Sequence, residues 1–323
     1  MNTGVFTISI DFELYWGVRD TRHLDEYREN LDGVPQAIRR TLDLFEQRRI
    51  HASWATVGLL FCRDRDEALS MAPATRPGYE NTALCPYRYL EQSTNLEERY
   101  HFASGLVDLI AATPHQEVAI HTFSHYYCLE AGQTLANFNA DIATAVRVAA
   151  AKGLRVRSLV FPRNQWNPEY LAVLAEHGIT AYRGNEHGWL YSATNQNRQN
   201  RARRLGRLMD SYINLSGHHT FALENCGSQP PFDFPASRFL RPHHPGLAWL
   251  DDWRLRRIRR AMQHAARHGE VFHLWWHPHN FGIHTDQNMR FLERVLDEFE
   301  HLRRSDGMRS LNMGELAGLL ASQ

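Results

Sequence analysis

The sequence predicts an α/β fold built on parallel strands, in the form of a closed barrel. Short apolar, β-prone segments alternate with amphipathic segments along most of the chain. Such alternation favours parallel strands joined by right-handed helical crossovers. Residues that can carry chemistry follow several different strands, whereas an open sheet would concentrate them at one switch point and often carry a glycine-rich phosphate loop. This distribution favours the barrel over a doubly wound sheet.

The predicted strands are short and apolar. The first, TISIDFEL, covers residues 7–14, and alternation along it places Asp11 and Glu13 on one face, opposite the apolar side chains. The later strands are predicted at 50–57, 118–120, 156–161, 179–182, 271–276 and 309–312.

The predicted helices lie between these strands. Asp32-Gly33-Val34-Pro35 precedes apolar residues at three-to-four spacing, which predicts a helix that ends near Arg49. Asn167-Pro168 begins another helix, and Gly178 ends it. Helical patterns cover 96–112, 137–151, 168–177, 251–268 and 286–304.

Two segments, 62–95 and 184–250, fit the alternation poorly and are rich in Pro, Gly, Asn and aromatic residues. We expect both to be long loops over the mouth of the barrel, where they would carry substrate specificity. A chain of 323 residues lies within the range of single α/β barrels. One catalytic domain covering 1–323 is therefore expected.

The composition favours neither nucleic acid nor a membrane as partner. Lys plus Arg and Asp plus Glu number 36 each, so no overall field attracts polyanions. No run approaches the roughly 18 apolar residues of a membrane span. The basic run Arg254–Arg260 is interpreted as the solvated face of a helix.

The cysteine pattern and the amino terminus suggest the compartment. The four cysteines include no CxxC pair, which favours reduced thiols. The first strand begins at once, without the basic, apolar and small-residue segments of an export signal. A cytoplasmic protein is therefore expected.

Two groups of side chains predict a hydrolase site. Acids at the end of a buried strand, as at Asp11 and Glu13, are costly unless a cation, a metal or a catalytic proton compensates them. His121 and His125, four residues apart in HTFSH, would come to one side of a helical turn and suit one divalent ion. Two histidines and one carboxylate leave open positions on a zinc-like ion for water and an acyl oxygen.

The order of these parts resembles the polysaccharide deacetylase family (NodB homology, carbohydrate esterase 4). SIDFE, HASWATVG, HTFSH, FPRNQW and LWWHP resemble its landmarks in order. Glu13 stands where the family usually has Asp, and Pro162 precedes Arg163 where the family reads Arg-Pro-Pro. The resemblance implies a distorted (β/α)7–8 barrel of the NodB type, with long loops over the carboxyl-end mouth.

The resemblance also implies roles for individual residues. Asp11 would be the catalytic base, and Arg163 would orient or charge-balance it. His277 would be the general acid. The metal ligands would be Glu13, His121 and His125.

Several assignments stay open on the residues alone. His273 and His279 are rivals of His277 as the acid, although His273 is better interpreted as a core residue with a hydrogen-bonded neighbour. His277-Pro278-His279 is also compatible with an HxH metal pair. Sugars stack on aromatic faces, so Trp166 and Trp275 are the candidates for substrate-binding pocket walls.

The expected function is hydrolysis of an N-acetyl or N-formyl group from an amino sugar, with one divalent ion as cofactor. Zinc is preferred, with Co, Fe, Mn or Ni as alternatives. Because no export signal is expected, the substrate would be a nucleotide- or lipid-linked precursor in surface-polysaccharide biosynthesis. The alternatives are hydrolysis of a non-sugar C–N bond, as in a ureide or cyclic amide, and an inactive barrel that binds carbohydrate. The oligomeric state stays open.

Overall fold

The computed structural model describes residues 3–186, 188, 190–191 and 201–322. Within these ranges nine strands form one sheet, and every strand pair in it is parallel. The sheet order is β6-β5-β4-β3-β2-β1-β8-β7, and β9 pairs with β1. The strands are β1 (Val5–Phe12), β2 (Ala52–Thr56), β3 (Gln116–Ile120), β4 (Ser158–Val160), β5 (Ala181–Arg183), β6 (Phe232–Asp233), β7 (Arg238–Phe239), β8 (Val271–Trp276) and β9 (Arg309–Ser310).

The two edges of the sheet are joined by four residues, 234–237, that cross the gap between β6 and β7. The amide of Phe234 donates to the carbonyl of Tyr182 on β5 at 2.9 Å, and the amide of Ser237 donates to the carbonyl of His273 on β8 at 2.8 Å. The barrel is therefore curled but incompletely hydrogen-bonded at this side. The prediction of a distorted α/β barrel is confirmed.

The first strand lies in the middle of this sheet, between β2 and β8. All eight of its residues are buried, as expected for a parallel strand covered on both faces. It begins two residues earlier than predicted and ends at Phe12, so Glu13 lies just beyond it. Because the strands run in one direction, their carboxyl ends meet at one rim, where β1 places its acids.

The helices cover the outer face of the sheet and bury its apolar side chains. They are α1 (Leu24–Asp32), α2 (Val34–Arg48), α3 (Arg65–Met71), α4 (Pro86–Gln92), α5 (Ser104–Ala112), α6 (Leu135–Ala151), α7 (Leu171–Glu176), α8 (Arg201–Asp210), α9 (Asp251–His268), α10 (Pro278–Gly282), α11 (Thr285–Ser305) and α12 (Met313–Ala321). None of the helices in the described ranges combines the length and apolar character of a membrane-spanning segment.

The two segments predicted as loops contain regular structure. Segment 62–95 includes α3 and α4, and segment 184–250 includes α8 together with β6 and β7. The Asp64 side chain accepts from the Glu67 amide at 2.8 Å and caps α3. These elements are too short to show a convincing hydrophobic period, which explains why alternation alone misses them.

The basic run on α9 is not a uniformly solvated face. Arg254 and Arg257 are each only 3% exposed, whereas Arg256 and Arg260 are exposed. Arg254 donates to the carbonyl of Pro242 at 3.0 Å, and Arg257 donates to the carbonyl of Asp210 at 3.3 Å. The solvated-face interpretation is therefore wrong for Arg254 and Arg257, which fasten segment 184–250 to α9.

Candidate functional site

The first strand delivers two buried carboxylates to the carboxyl-end rim. Asp11 is 2% exposed and lies on β1, while Glu13 is 4% exposed and begins the short 3₁₀ turn that follows. A Cβ atom at Gly17, at the end of that turn, would overlap the Glu13 carboxylate. The glycine thus leaves the space in which Glu13 faces the site.

The HTFSH segment follows β3 and is not the helical turn that the histidine spacing suggested. Thr122 and His125 have left-handed φ angles of 58° and 56°. The carboxylate of Asp141 on α6 accepts from the amides of Phe123 at 2.6 Å and Ser124 at 3.2 Å. The two imidazoles converge through this buried turn, with ring centroids 5.1 Å apart.

Glu13, His121 and His125 form one candidate metal centre. Nε2 of His125 lies 2.8 Å from Oε2 of Glu13, and Nε2 of His121 lies 3.9 Å from the same oxygen. One ligand atom from each residue lies within 4.8 Å of the others. Nε2 of His125 has no hydrogen-bond partner of acceptable geometry among the described residues.

A neighbouring hydroxyl orients the His125 ring. Its Nδ1 lies 3.1 Å from the Tyr127 hydroxyl, which directs Nε2 toward Glu13. A buried set of two imidazoles and one carboxylate matches the ligand chemistry of a zinc-type ion. The residues present therefore fit one divalent cation.

The partner of Asp11 is Arg183, the last residue of β5, and not Arg163. Nη1 and Nη2 of Arg183 each lie 2.7 Å from a different oxygen of Asp11. Arg163 instead pairs with Asp20, and its guanidinium lies 4.6 Å from the centre of the Tyr127 ring. The expectation that Arg163 charge-balances Asp11 is therefore wrong.

Local backbone geometry accounts for this difference. Pro162 begins a 3₁₀ turn in which Arg163 has a φ angle of 56°, and the side chain turns toward Asp20. Arg183 lies one residue past the predicted strand 179–182. An arginine at the carboxyl end of a strand is the signal that could have identified it.

His277 follows β8 and faces both acids. Its Nε2 lies 2.9 Å from Oε1 of Glu13 and 3.7 Å from Oδ2 of Asp11. The His279 ring stacks on it with centroids 4.9 Å apart. Glu13, His277 and His279 also place ligand atoms within 4.8 Å of one another, so the geometry leaves the HxH alternative open.

His273 is a buried core residue, as expected. Its ring nitrogens lie 2.9 Å from the Ser9 hydroxyl and 3.1 Å from the Phe234 carbonyl. Both nitrogens thus have partners inside the barrel. The geometry favours His277 over His273 as a group that meets substrate.

Only one of the two candidate pocket walls contacts this cluster. The Trp275 ring lies 5.5 Å from His277 and 4.7 Å from Phe239, and its Nε1 donates to Glu186 at 3.3 Å. The ring of Trp166 packs near Tyr182, with centroids 6.2 Å apart. Glu186 and Phe239 lie in segment 184–250 and carried no sequence signal that distinguished them.

Positively charged neighbours lower the pKa values of the two acids in the site. Burial alone would raise the pKa of Asp11, but the charge of Arg183 holds it below its usual value. Burial would likewise raise the pKa of Glu13, but the neighbouring imidazoles of His277 and His125 hold it well below its usual range. Both carboxyl groups are therefore ionised at neutral pH.

The histidines shift in opposite directions. Burial lowers the pKa of His121 to about 4, which keeps its imidazole neutral and able to ligate a cation. Burial also acts to lower the pKa of His277, but the negative charge of Glu13 and that of Asp11 raise it above the usual value. A protonated His277 can donate a proton at neutral pH.

Comparisons with known sequences give no assignment. No protein-family model matches the sequence, and no curated protein matches it. The informative comparisons are those with solved structures.

Two similar structures are proteins provisionally designated polysaccharide deacetylases. The one from Mycobacterium smegmatis has a TM-score of 0.59 and 12% identity, covering 99% of this chain and 92% of that chain. The one from Pseudomonas aeruginosa PAO1 has a TM-score of 0.55 and 11% identity, covering 97% and 89%.

A third similar structure is the GH57-type branching enzyme from the hyperthermophilic archaeon Pyrococcus horikoshii. Its TM-score is 0.54 at 11% identity, and the alignment covers 98% of this chain and 70% of the enzyme. At such identities the likeness is one of fold. The resemblance of this chain to polysaccharide deacetylases is therefore confirmed as a shared fold.

Proposed function

We propose that this protein hydrolyses an N-acyl group, acetyl or formyl, from an amino sugar with the help of one divalent metal ion. The observation that carries the proposal is the buried group Glu13, His121 and His125 beside a second carboxylate, Asp11, that has its own cationic partner. A hydrolase of this kind needs both a ligating acid and a separate acid that is free to take a proton. The chain supplies the two within one short segment.

Glu13, His121 and His125 would hold the ion, with zinc preferred and Co, Fe, Mn or Ni as alternatives. When bound, such an ion supplies Lewis-acid polarisation of a carbonyl oxygen and makes nearby water more acidic. The structure supports this ligand set through its burial and convergence.

Asp11 acts as the general base and accepts a proton from the attacking water. Arg183 keeps Asp11 ionised and fixes its orientation through two parallel hydrogen bonds. His277 faces the acids from β8 and donates a proton to the leaving nitrogen as the C–N bond breaks. Each proton-transfer group typically contributes about a hundredfold to ten-thousandfold in rate.

The shared fold and the walls of the site support a sugar as the substrate. Similar structures are designated polysaccharide deacetylases, which supports a sugar substrate. The indole of Trp275 beside His277 offers an aromatic face for a sugar ring. We propose a cytoplasmic precursor, linked to a nucleotide or lipid, as the sugar's carrier.

The fold alone does not set the reaction, because a branching enzyme shares it. The test is therefore an assay of acetate or formate release from a panel of nucleotide-linked and lipid-linked N-acyl amino sugars. We expect release by the zinc-restored protein and its loss in excess chelator. Release from a ureide or cyclic amide, with none from any sugar, would overturn the sugar assignment. No release from either class, together with no bound metal, would overturn the assignment as a hydrolase.

A further inference from the structure

An exposed apolar surface lies where the loop after α8 meets the beginning of α9. Trp253, in the first turn of α9, is 51% exposed, and Trp249, in the short 3₁₀ turn that leads into this helix, is 76% exposed. Ile213 and Leu215 in the loop are 50% and 53% exposed. Large apolar side chains that are this exposed in one region indicate a surface that another molecule covers.

A cavity of about 220 Å³ lies between the loop and the helix. It is lined by Ile213 and Trp253 and by three arginines of α9, namely Arg256, Arg257 and Arg260. Trp253, Arg256 and Arg260 follow one another at spacings of three and four residues, so they share one face of α9. The guanidinium carbon of Arg256 lies 5.8 Å from the centre of the Trp253 ring. The apolar and the basic side chains therefore form one surface.

The two exposed arginines of this surface have no acid in contact with them. Among the described residues, no carboxylate oxygen lies within 4.0 Å of the guanidinium nitrogens of Arg256 or Arg260, and no Asp or Glu lines the cavity. Asp252, four residues before Arg256, instead pairs with Arg294 at 2.6 Å. The pKa of Asp252 is lowered mainly by Arg294 and less by Arg256. The surface thus presents positive charge beside exposed apolar side chains.

This positive charge favours a negatively charged partner over a second copy of the chain. A symmetric contact would bring the same surface face to face, so Arg256 and Arg260 would meet like charges with no acid between them. A membrane that carries anionic lipid offers the opposite charge, and tryptophan, aliphatic and basic side chains together are typical of proteins that lie at its interface. The chain has no net charge, so this attraction would come from the local surface and not from an overall field.

The surface lies at the same rim as the candidate active site. Arg254, in the first turn of α9, donates to the carbonyl of Pro242 at 3.0 Å, just beyond the carboxyl end of β7. From there α9 runs back to the amino end of β8, which is parallel to β7. The beginning of α9 is therefore at the carboxyl-end rim, where His277 meets the two acids.

We propose that the protein docks on a membrane that carries anionic phospholipid through the α9 surface, which comprises Ile213, Leu215, Trp249, Trp253, Arg256 and Arg260. The tryptophans and aliphatic side chains enter the headgroup region, and the arginines contact lipid phosphates. The inference goes beyond the proposed function and stands without it. Where that function holds, docking favours a lipid-linked carrier, because it brings the mouth of the barrel close to the membrane.

The direct test is co-sedimentation of the full-length chain with phosphatidylcholine vesicles prepared with and without phosphatidylserine. We expect binding only when phosphatidylserine is present, and weaker binding at high salt. Arg256→Gln combined with Arg260→Gln should weaken it by about tenfold or more, as should Trp249→Ser combined with Trp253→Ser. All four side chains are exposed, so the variants should keep the fold, which circular dichroism checks.

Two control variants remove the same kinds of side chain elsewhere. Arg155→Gln combined with Arg304→Gln removes two exposed charges that precede the amino ends of β4 and β9. Leu135→Ser removes an apolar side chain that is exposed at the start of α6. Both variants should bind the vesicles as the wild type does.

Absence of wild-type binding to the phosphatidylserine vesicles would overturn the proposal, as would equal binding by the wild type and both variants of the α9 surface. A wild-type dimer that the double tryptophan variant dissociates, with no vesicle binding, would assign the surface to self-association instead. The vesicles contain no substrate, so the result does not depend on turnover. Vesicle binding by a protein that hydrolyses nothing would support docking and overturn the proposed hydrolysis.

Discussion

Arg183 donates hydrogen bonds to both carboxylate oxygens of Asp11 across the interior of the barrel. The two residues belong to β5 and β1, which are not neighbours in the sheet, yet their paired contacts are each 2.7 Å. Arg183 also donates to the Ser9 hydroxyl at 2.9 Å. The side chains of Arg183 and Asp11 are 0% and 3% exposed, so water does not replace the contact. The position of the proposed base thus depends on a strand that lies far from it in sequence.

The substitution Arg183→Met should therefore lower the stability of the protein and shift the pH dependence of kcat/KM. It leaves Asp11 buried without its cation, which should lower the free energy of unfolding by about 3–5 kcal/mol. Because Arg183 lowers the pKa of Asp11, its loss should move the acidic limb of kcat/KM to higher pH. Urea unfolding and pH–rate profiles check the two effects.

Arg163→Met is the matched control, since Arg163 is also an ion-paired arginine but contacts Asp20. Arg163→Met should leave the acidic limb of the kcat/KM profile at the same pH as in the wild type. An equal displacement in both variants would contradict the assignment of Arg183 as the partner of Asp11.

Asp11→Asn should separate the proposed base from the metal ligands. The amide cannot accept the water proton, so kcat should fall by about a hundredfold to ten-thousandfold. The metal content, measured by inductively coupled plasma mass spectrometry, should stay near one equivalent because Asp11 is outside the ligand set. Loss of the metal together with activity would show that Asp11 ligates the ion.

His125→Ala and His279→Ala distinguish the two candidate ligand sets that share Glu13. If His121 and His125 hold the ion, His125→Ala should lose the metal while His279→Ala retains it. Both substitutions remove a buried imidazole near the same carboxylate, so each serves as the control of the other. The reverse result would assign the metal to the HxH pair after β8.

The sequence was sufficient for the parts of this site that follow from strand ends. Alternation and apolar runs located β1, β3 and β8, and hence Asp11, His121 and His277 at one rim. It was not sufficient for the partner of Asp11, because Arg163 and Arg183 both follow predicted strands. Arg163 has a left-handed backbone conformation that turns its side chain toward Asp20. The sequence gives no sign of this conformation, because the residue is neither glycine nor asparagine.

The same limit applies to segment 184–250. Its two strands, β6 and β7, contain only two residues each. Its contacts with α9 depend on the buried Arg254 and Arg257, which belong to a basic run that resembles an exposed charged face in the sequence. The prediction that HTFSH forms a helical turn was wrong for a related reason. The turn is held by Asp141, a residue of α6 that only the tertiary structure brings near.

Asp141 should make stability depend on pH. Burial raises its pKa to about 7, against an ordinary value of 3.8, although hydrogen bonds from the HTFSH turn oppose the shift. The folded chain therefore retains a proton that the unfolded chain has lost. The resulting stability is complete below the ordinary pKa and is lost as the pH rises through about 7, by up to about 1.4 kcal/mol per pH unit.

Asp141→Asn removes this titration and keeps an oxygen acceptor for the turn. The difference in unfolding free energy between wild type and variant should therefore shift in favour of the variant between about pH 5 and pH 7. Urea unfolding at several pH values measures it. A difference that is constant across this range would contradict the raised pKa.

The central position of β1 has a consequence for how the chain is made. Val5 pairs with Val271 and Ile10 with Trp276, so one side of β1 finds its partner only after all the strands from β2 to β7 have been synthesised. Contacts this distant in sequence slow folding, because a very large loop must close before they form. The nascent chain must therefore keep one edge of β1 unpaired until β8 has been synthesised, and His277 cannot meet the acids of the site before then.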